Sequence, residues 1–301
     1  MVADFLGIAD LGRDGLRLVL DLAEQFRADR SHRSDLAGKT IGLFFEKPST
    51  RTRVSSEVAA VELGAHPVVL GQNEVGLGTR ESVADVARVL DRYLDLLAFR
   101  VFDHAGLVEI ADHSSAPVVN LLSDLEHPCQ ALADLLTIEQ TLPIDGSLVT
   151  YVGDGNNVCH SLMVGVAMLG GRVHVVGPAG YEPKAQYLEM AKLLAKSTHG
   201  AVHVGTDLSL VDGADVVYTD VWASMGQEAD ADARAEVFAP YQVDGDLFAR
   251  AGADAIFLHD LPAHRGEEVT DAVMDHERSR VFDQAENRLH VFKALLVHLL
   301  G

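Results

Sequence analysis

The fold class this sequence predicts is α/β: two doubly wound parallel-sheet domains joined by long helices, with the functional site in the cleft between them. Three observations carry that expectation. Apolar runs of strand length alternate with stretches of helical periodicity, and the first four alternations lack hairpin signals, which argues for parallel strands. The 301 residues suffice for two domains, each with a substantial core. The conspicuous polar clusters fall where strands end and helices begin, the edge at which ligands gather in such sheets.

Taken in order, TIGLFF (40–45) is a continuous apolar run and reads as a buried strand, with a helix opening near Ser49 and running to about residue 63. PVVLG (67–71) is a second strand, and SVADVARVLDRYL (82–94) places apolar residues at helical spacing. LDLLAFR (94–100) is a third strand, followed by a helix around 107–112 and a fourth strand, APVVNLL (116–122). A long helix over 128–140 and the turn LPIDGS come next, and then the alternation resumes. SLVTYVG, RVHVVG, AVHVG, DVVYTD and AIFLHD read as five more strands, with NVCHSLMVGVAML and EPKAQYLEMAKLLAK as helices between them. AENRLHVFKALLVHLL closes the chain as an amphipathic helix. The boundary is expected near 125–145, giving one domain of 1–135 completed by the C-terminal helix 284–301 and a second of 136–283.

Composition excludes several classes. Nearly half the residues are hydrophobic, and the formal charge of -21 argues against nucleic acid, whose phosphates need clustered Lys and Arg. The acidity itself reads as solubility. No opening segment combines a basic stretch, a long apolar run and a small-residue cleavage site, and no apolar run is long enough to span a bilayer. The two cysteines, Cys129 and Cys159, lack metal-ligand spacing and suit a reducing cytoplasm. The 14 histidines show no metal-binding motif, so neither a metal nor another cofactor is expected.

Five clusters carry candidate chemistry. In FEKPSTRTR (45–53), a helix start with Ser49, Thr50 and Thr52 hydroxyls and the fork of Arg51 makes an anion site; a plain N-cap with solvated arginines reads equally well. It is not a Walker loop, because GxxxxGK[ST] is absent. GDGNNVCHS has Val158 where a dinucleotide fingerprint wants a third glycine. In HPCQALAD (127–134), Pro128 suits the first helical position, with His127 at the cap and Gln130 a turn later on the same face. TDVWASMGQE (219–228) and FLHDLPAHRG (257–266) each leave a strand end for a polar loop, and Arg288 opens the final helix in QAENRLH.

Together these segments resemble the aspartate/ornithine transcarbamoylase family, in order and spacing from about residue 40 to the C-terminus. S-T-R-T-R is Ser49–Arg53, H-P-x-Q is HPCQ, D-x-W-x-S-M-G is DVWASMG and E-N-R is Glu286–Arg288; GDGNN and the arginine ending LLAFR match as well. The resemblance implies that the first domain binds carbamoyl phosphate and the second L-ornithine, whose side-chain amine attacks the donor to give L-citrulline and phosphate, a reaction that serves arginine biosynthesis or, run for catabolism, arginine breakdown. It implies a carbamoyl-phosphate set of Ser49, Thr50, Arg51, Thr52, Arg100, His127, Gln130, Leu261 and Arg288. His127 and Arg100 would lie near the carbonyl oxygen. The ornithine set would be Asn157, Asp220, Ser224, Met225 and Asp260, with Asp220 facing the α-ammonium and Asn157 the carboxylate. Arg51, Arg100, His127 and Asp260 would be the catalytic residues. It further implies a homotrimer or a multiple of trimers, with the loop GQNEVGLGTRES (71–82) reaching a neighbour.

One position departs from the family pattern. The motif H-C-L-P reads His259-Asp260-Leu261-Pro262 here. Asp260 could attract the attacking ammonium and accept its proton, select another amine, depress activity by repelling phosphate, or be tolerated. Rival readings are a transcarbamoylase for a different amine, a carbamoyl-phosphate-binding protein without catalysis, and an NAD-dependent oxidoreductase.

Overall fold

Nine strands form two sheets among residues 4–223 and 230–301, the residues described by the computed structural model. The chain opens with α1 (Gly12–Ala28), β1 (Thr40–Phe45), α2 (Thr50–Glu62), β2 (His66–Gly71) and the single turn α3 (Gln72–Val75). Next come α4 (Val83–Leu90), β3 (Leu96–Arg100), α5 (His104–Asp112), β4 (Val118–Leu122) and α6 (Pro128–Glu139). The second run is β5 (Leu148–Val152), α7 (Asn157–Met168), β6 (Arg172–Val176), α8 (Ala185–Thr198), β7 (Ala201–Gly205) and β8 (Val216–Thr219). It finishes with α9 (Ala231–Phe238), α10 (Gly245–Phe248), β9 (Ile256–His259), α11 (Asp271–Met274) and α12 (Val281–Leu300). The chain divides into two units, residues 1–136 with 286–301 and residues 137–285.

In the first unit the sheet order is β2-β1-β3-β4, every neighbour parallel. Because the chain leaves β1 in both directions, its loop faces the switch point where doubly wound sheets collect ligands. Phe45 pairs with Arg100, so the ends of β1 and β3 are level and the loop to α2 starts beside the Arg100 side chain. One face of the sheet is packed by Phe44, Leu97, Phe99, Leu107 and Ile110, with the Phe44 and Phe99 rings 5.4 Å apart. Burial of such side chains is worth about 1.5–3 kcal/mol each and fixes the strand register.

The second unit has the order β7-β6-β5-β8-β9, again all parallel. Val152 pairs with Thr219 and Thr219 with His259, which brings the loops after β5, β8 and β9 to one edge. Val152, Val217, Phe248, Phe257 and Val273 are among the buried residues of its core.

Several boundaries differ from the sequence expectation for local reasons. The 82–94 helix ends at Leu90, because the Asp91 carboxylate accepts from Ala116 N at 2.7 Å and Ser115 N at 2.9 Å, tying the chain to the turn before β4. The helix expected at 107–112 begins at His104, since Asp103 caps it by accepting from Ala105 N and Gly106 N. The loop 71–82 contains α3, whose Glu74 carboxylate accepts from Gly71 N at 2.6 Å. α1 was not anticipated; its Leu16, Val19, Leu20, Ala23 and Phe26 are buried at helical spacing. Among the described residues no helix is long and apolar enough to cross a membrane.

Candidate active site

In the first unit the site grows from the start of α2. Ser49 is extended and its Oγ accepts from Thr52 N at 3.4 Å, a long N-cap bond that satisfies one first-turn donor. The N–H groups of Thr50 and Arg51 meet no acceptor among the described residues, and they carry the positive end of the helix dipole. Arg51 is exposed and has no carboxylate partner among the described residues, whereas Arg53 is paired with Glu57 at 2.7 Å. Thr50 is exposed and Ser49 half-buried.

Beneath that turn lies a buried polar cluster. Thr52, 1% exposed, accepts at Oγ1 from Arg288 Nη2 at 2.8 Å and, at the 3.5 Å limit, from Arg100 Nη1. Arg288 Nη1 donates to Gln130 Oε1 at 2.5 Å, and Gln130 Nε2 donates to Asp134 Oδ1 at 2.8 Å. Gln130 thus uses both ends of its amide to orient Arg288. His127 is 3% exposed at the start of α6. Burial first, then the Arg288 and Arg100 guanidiniums, push its pKa well below the usual imidazole range, so the ring is neutral at working pH. Two guanidiniums and a neutral imidazole beside an open helix N-terminus can hold a small anion and stabilise negative charge developing on an oxygen.

The second unit gathers carboxylates. Asn156, not Asn157, caps α7: its Oδ1 accepts from Val158 N at 3.0 Å and Cys159 N at 3.1 Å, and its Nδ2 donates to Asp220 Oδ2 at 2.7 Å. Asn157 is the first residue of that helix and is buried. Asp220 Oδ1 also accepts from Val221 N at 2.7 Å. Past β9, Leu261 N–H donates to His259 Nδ1 at 2.9 Å, which leaves the His259 proton on Nε2, donated to Glu268 Oε1 at 3.1 Å. The tautomer is therefore fixed by its neighbours, and the backbone at Leu261, with φ 59, is held by that bond. Asp220, His259 and Asp260 each place a polar atom within 4.8 Å of the others. Both nitrogens of His259 are occupied, so the pair of carboxylates supplies the charge, and that suits a cationic amine. Ser224 and Met225 lie outside the described residues.

Asp154, Asn156 and Arg234 also shape this edge and were missed in the sequence. Arg234 forms a buried ion pair with Asp154 and donates from Nε to the Trp222 carbonyl. GDGNN gave the signal for the first two, as a loop leaving a strand; nothing local marks Arg234. The glycines of that motif serve the fold. Gly155 N–H donates to Tyr181 O at 2.8 Å, and a side chain at Gly155 would collide with the backbone of Glu182 and Pro183. A dinucleotide phosphate would need that space and that donor. Both cysteines are buried and unpaired; burial pushes the Cys129 thiol up to about 12 and Cys159 well above its ordinary value, so neither is an activated nucleophile.

Comparison with known proteins agrees with this division of chemistry. The family profile described as aspartate/ornithine carbamoyltransferase, carbamoyl-P binding domain, matches residues 3–140, and the one described as Asp/Orn binding domain matches residues 145–299. The ornithine carbamoyltransferase of Methanothermobacter thermautotrophicus is 50% identical over 298 residues, covering 98% of each chain. That of Anoxybacillus flavithermus is 48% identical over 302 residues, covering 99% of this chain and 96% of the relative. The solved ornithine carbamoyltransferase from Pyrococcus furiosus superposes with a TM-score of 0.97 at 47% identity, covering 100% of this chain and 97% of that one. By sequence and by fold, over nearly its whole length, the chain belongs to the aspartate/ornithine carbamoyltransferase family.

Proposed function

We propose that the protein transfers the carbamoyl group of carbamoyl phosphate to the side-chain amine of L-ornithine, giving L-citrulline and phosphate. The observation that carries the reading is the buried pairing of Arg100 and Arg288 around Thr52, with neutral His127 beside them, under the open first turn of α2. Phosphate binds at the Thr50 and Arg51 N–H groups, with the Ser49, Thr50 and Thr52 hydroxyls and the Arg51 fork around it. Arg100, His127, Gln130, Leu261 and Arg288 surround the carbamoyl group. Asp220 holds the α-ammonium of ornithine, Asn157 its carboxylate, and Ser224 and Met225 complete the acceptor set.

Chemistry then requires a neutral amine. Asp260 draws the δ-ammonium by charge and takes one of its protons. The freed lone pair forms the N–C bond, negative charge grows on the carbonyl oxygen, and Arg100 and His127 stabilise it; one such donor is worth about 2.7–4 kcal/mol. Collapse breaks the C–O bond to phosphate, which leaves with the second amine proton. No covalent enzyme intermediate is needed. Positioning two bound substrates in attack geometry supplies roughly 7–11 kcal/mol of the barrier.

The unpaired buried cysteines fit a cytoplasmic protein. Val54 and Val61, two turns apart on α2 and both exposed, offer an apolar stripe that a homotrimer would cover; light scattering should give the mass of three chains or a multiple. The deciding experiment for the acceptor is a panel of ornithine, aspartate, putrescine, lysine and acetylornithine with carbamoyl phosphate. Ornithine should be used best; negligible citrulline beside brisk carbamoylation of another amine would assign a different acceptor.

A further inference from the structure

Arg234 stands out because burying its charge is unfavourable and packing alone does not require it. Its guanidinium is buried against two rings that pack edge to face on each other, 4.8 Å from the Tyr181 centroid and 5.2 Å from that of Phe238. Its donors reach two points, the Asp154 carboxylate in the loop after β5 and the Trp222 carbonyl in the loop after β8. Asp220 lies two residues before Trp222, and its carboxylate is tied to Asn156, two residues after Asp154. Arg234 and Asn156 are thus two cross-links between the same pair of loops, one at the Asp220 carboxylate itself and one two residues beyond it. A neutral amide makes one link, and a charged, aromatic-lined guanidinium makes the other.

We propose that Arg234 is a positioning residue for the amino-acid acceptor: by bonding Asp154 and the Trp222 carbonyl together, it holds the backbone that aims the Asp220 carboxylate, and so sets acceptor affinity without touching the donor. The inference rests on the reading of Asp220 as the partner of the α-ammonium. An alkyl side chain of similar length would pack on the same Tyr181 and Phe238 rings but would hold neither loop.

The charge state of Asp154 supports the same role. Burial raises its carboxyl to about 6, with Asp220 adding to the rise and Arg234 working against it. The charged or titratable groups facing it are Arg234 from α9, Asp220 after β8, Cys159 on α7 and Tyr151 on β5, both of the latter themselves pushed up and neutral. A bound α-ammonium at Asp220 cancels part of the repulsion and favours ionised Asp154. Acceptor binding should therefore weaken as pH falls through about 6, where protonated Asp154 loosens its hold on Arg234.

The test uses the full-length enzyme and five proteins: wild type, Arg234→Lys, Arg234→Met, Asp154→Asn and Asp220→Asn. KM is measured for both substrates. L-norvaline, which is ornithine without the side-chain amine, is titrated calorimetrically from pH 5.5 to 8 so that no acceptor amine titrates. Arg234→Met should raise the ornithine KM and norvaline Kd at least about tenfold, with the carbamoyl-phosphate KM within about twofold. Arg234→Lys, which keeps the cation and one bond, should fall between. Wild type should lose norvaline affinity below pH about 6, and Asp154→Asn should flatten that dependence. Equal losses for both substrates, or no loss in either Arg234 variant while Asp220→Asn raises the ornithine KM, would overturn the positioning role alone. An unchanged ornithine KM in Asp220→Asn would overturn the assignment of Asp220 on which it stands.

Discussion

Thr52→Val removes one oxygen from the centre of the donor cluster and leaves its shape almost unchanged. Thr52 is 1% exposed, so water cannot replace the missing acceptor. Of the two bonds it accepts, the one from Arg288 at 2.8 Å has full strength, and the one from Arg100 at 3.5 Å contributes little. A hydrogen bond to a charged group is worth about 1.5–3 kcal/mol, which corresponds to roughly 10- to 150-fold in an equilibrium constant. The effect should appear in carbamoyl-phosphate affinity, because the variant lacks the Thr52 hydroxyl beside the phosphate, and because Arg288 would keep Gln130 but no longer Thr52 as an anchor in this cluster and would sample orientations that do not face the donor. Isothermal calorimetry with carbamoyl phosphate, and steady-state KM values for both substrates, separate that effect from a general weakening. A Kd for carbamoyl phosphate within about twofold of wild type, in a folded variant, would refute the idea that Thr52 organises Arg288.

Other outcomes follow from the same geometry. His127 is held neutral by burial and by Arg288 and Arg100, so the unfolded chain takes up a proton below pH about 6.5 that the folded chain refuses. Its contribution is fully present above that pH and is lost on acidification, by about 1.4 kcal/mol per pH unit; urea unfolding of His127→Gln should be shallower in pH by that amount, and an unchanged slope would contradict a neutral ring. Lys293, 1% exposed, donates to Glu62 Oε2 at 2.8 Å. Burial works against ionised Glu62, but the Lys293 bond and charge, then Arg30, hold its carboxyl below the usual range. Lys293→Met should cost about 3 kcal/mol in urea unfolding, the low end for a broken buried pair because Arg30 remains, and adding Glu62→Gln should recover part of it. Asp260→Asn should lower kcat/KM for ornithine by about 10²–10⁴ near neutral pH, with the deficit shrinking toward pH 10 as the free amine loses its own proton. Asp260→Cys, which restores the family motif, should lose less than Asn if that position only tolerates the carboxylate.

Much of the architecture is legible in the chain because buried parallel strands are continuous apolar runs. TIGLFF, LLAFR and the five later runs all form strands, and their parallel pairing in two sheets follows from strand–helix alternation, whereas the order of strands within each sheet does not. Helix ends were less legible, since side-chain caps decide them: Asp103 extends α5 backwards and Asp91 cuts α4 short. α1 carries a clear stripe at Leu16, Val19, Leu20, Ala23 and Phe26, but Gly12 and Gly15 obscure its start. At the site, Thr52, Arg100, Gln130 and Arg288 could be picked out as single residues, and three of their mutual bonds join residues 48, 158 and 236 positions apart. No local pattern reports such pairings. Arg234 was invisible for the same reason, being 80 positions from Asp154 and set in a helix of unremarkable composition.

Calorimetric titration of carbamoyl phosphate into wild type and Arg51→Ala tests most directly whether the start of α2 is the donor site. Arg51 is exposed and has no ion-pair partner among the described residues, so its removal should leave urea unfolding unchanged. Without the bidentate, charge-assisted grip of its guanidinium on the phosphate, binding should weaken on the order of 100-fold. Absence of binding to the wild type, or equal affinity in the two proteins, would contradict the placement of carbamoyl phosphate on that turn.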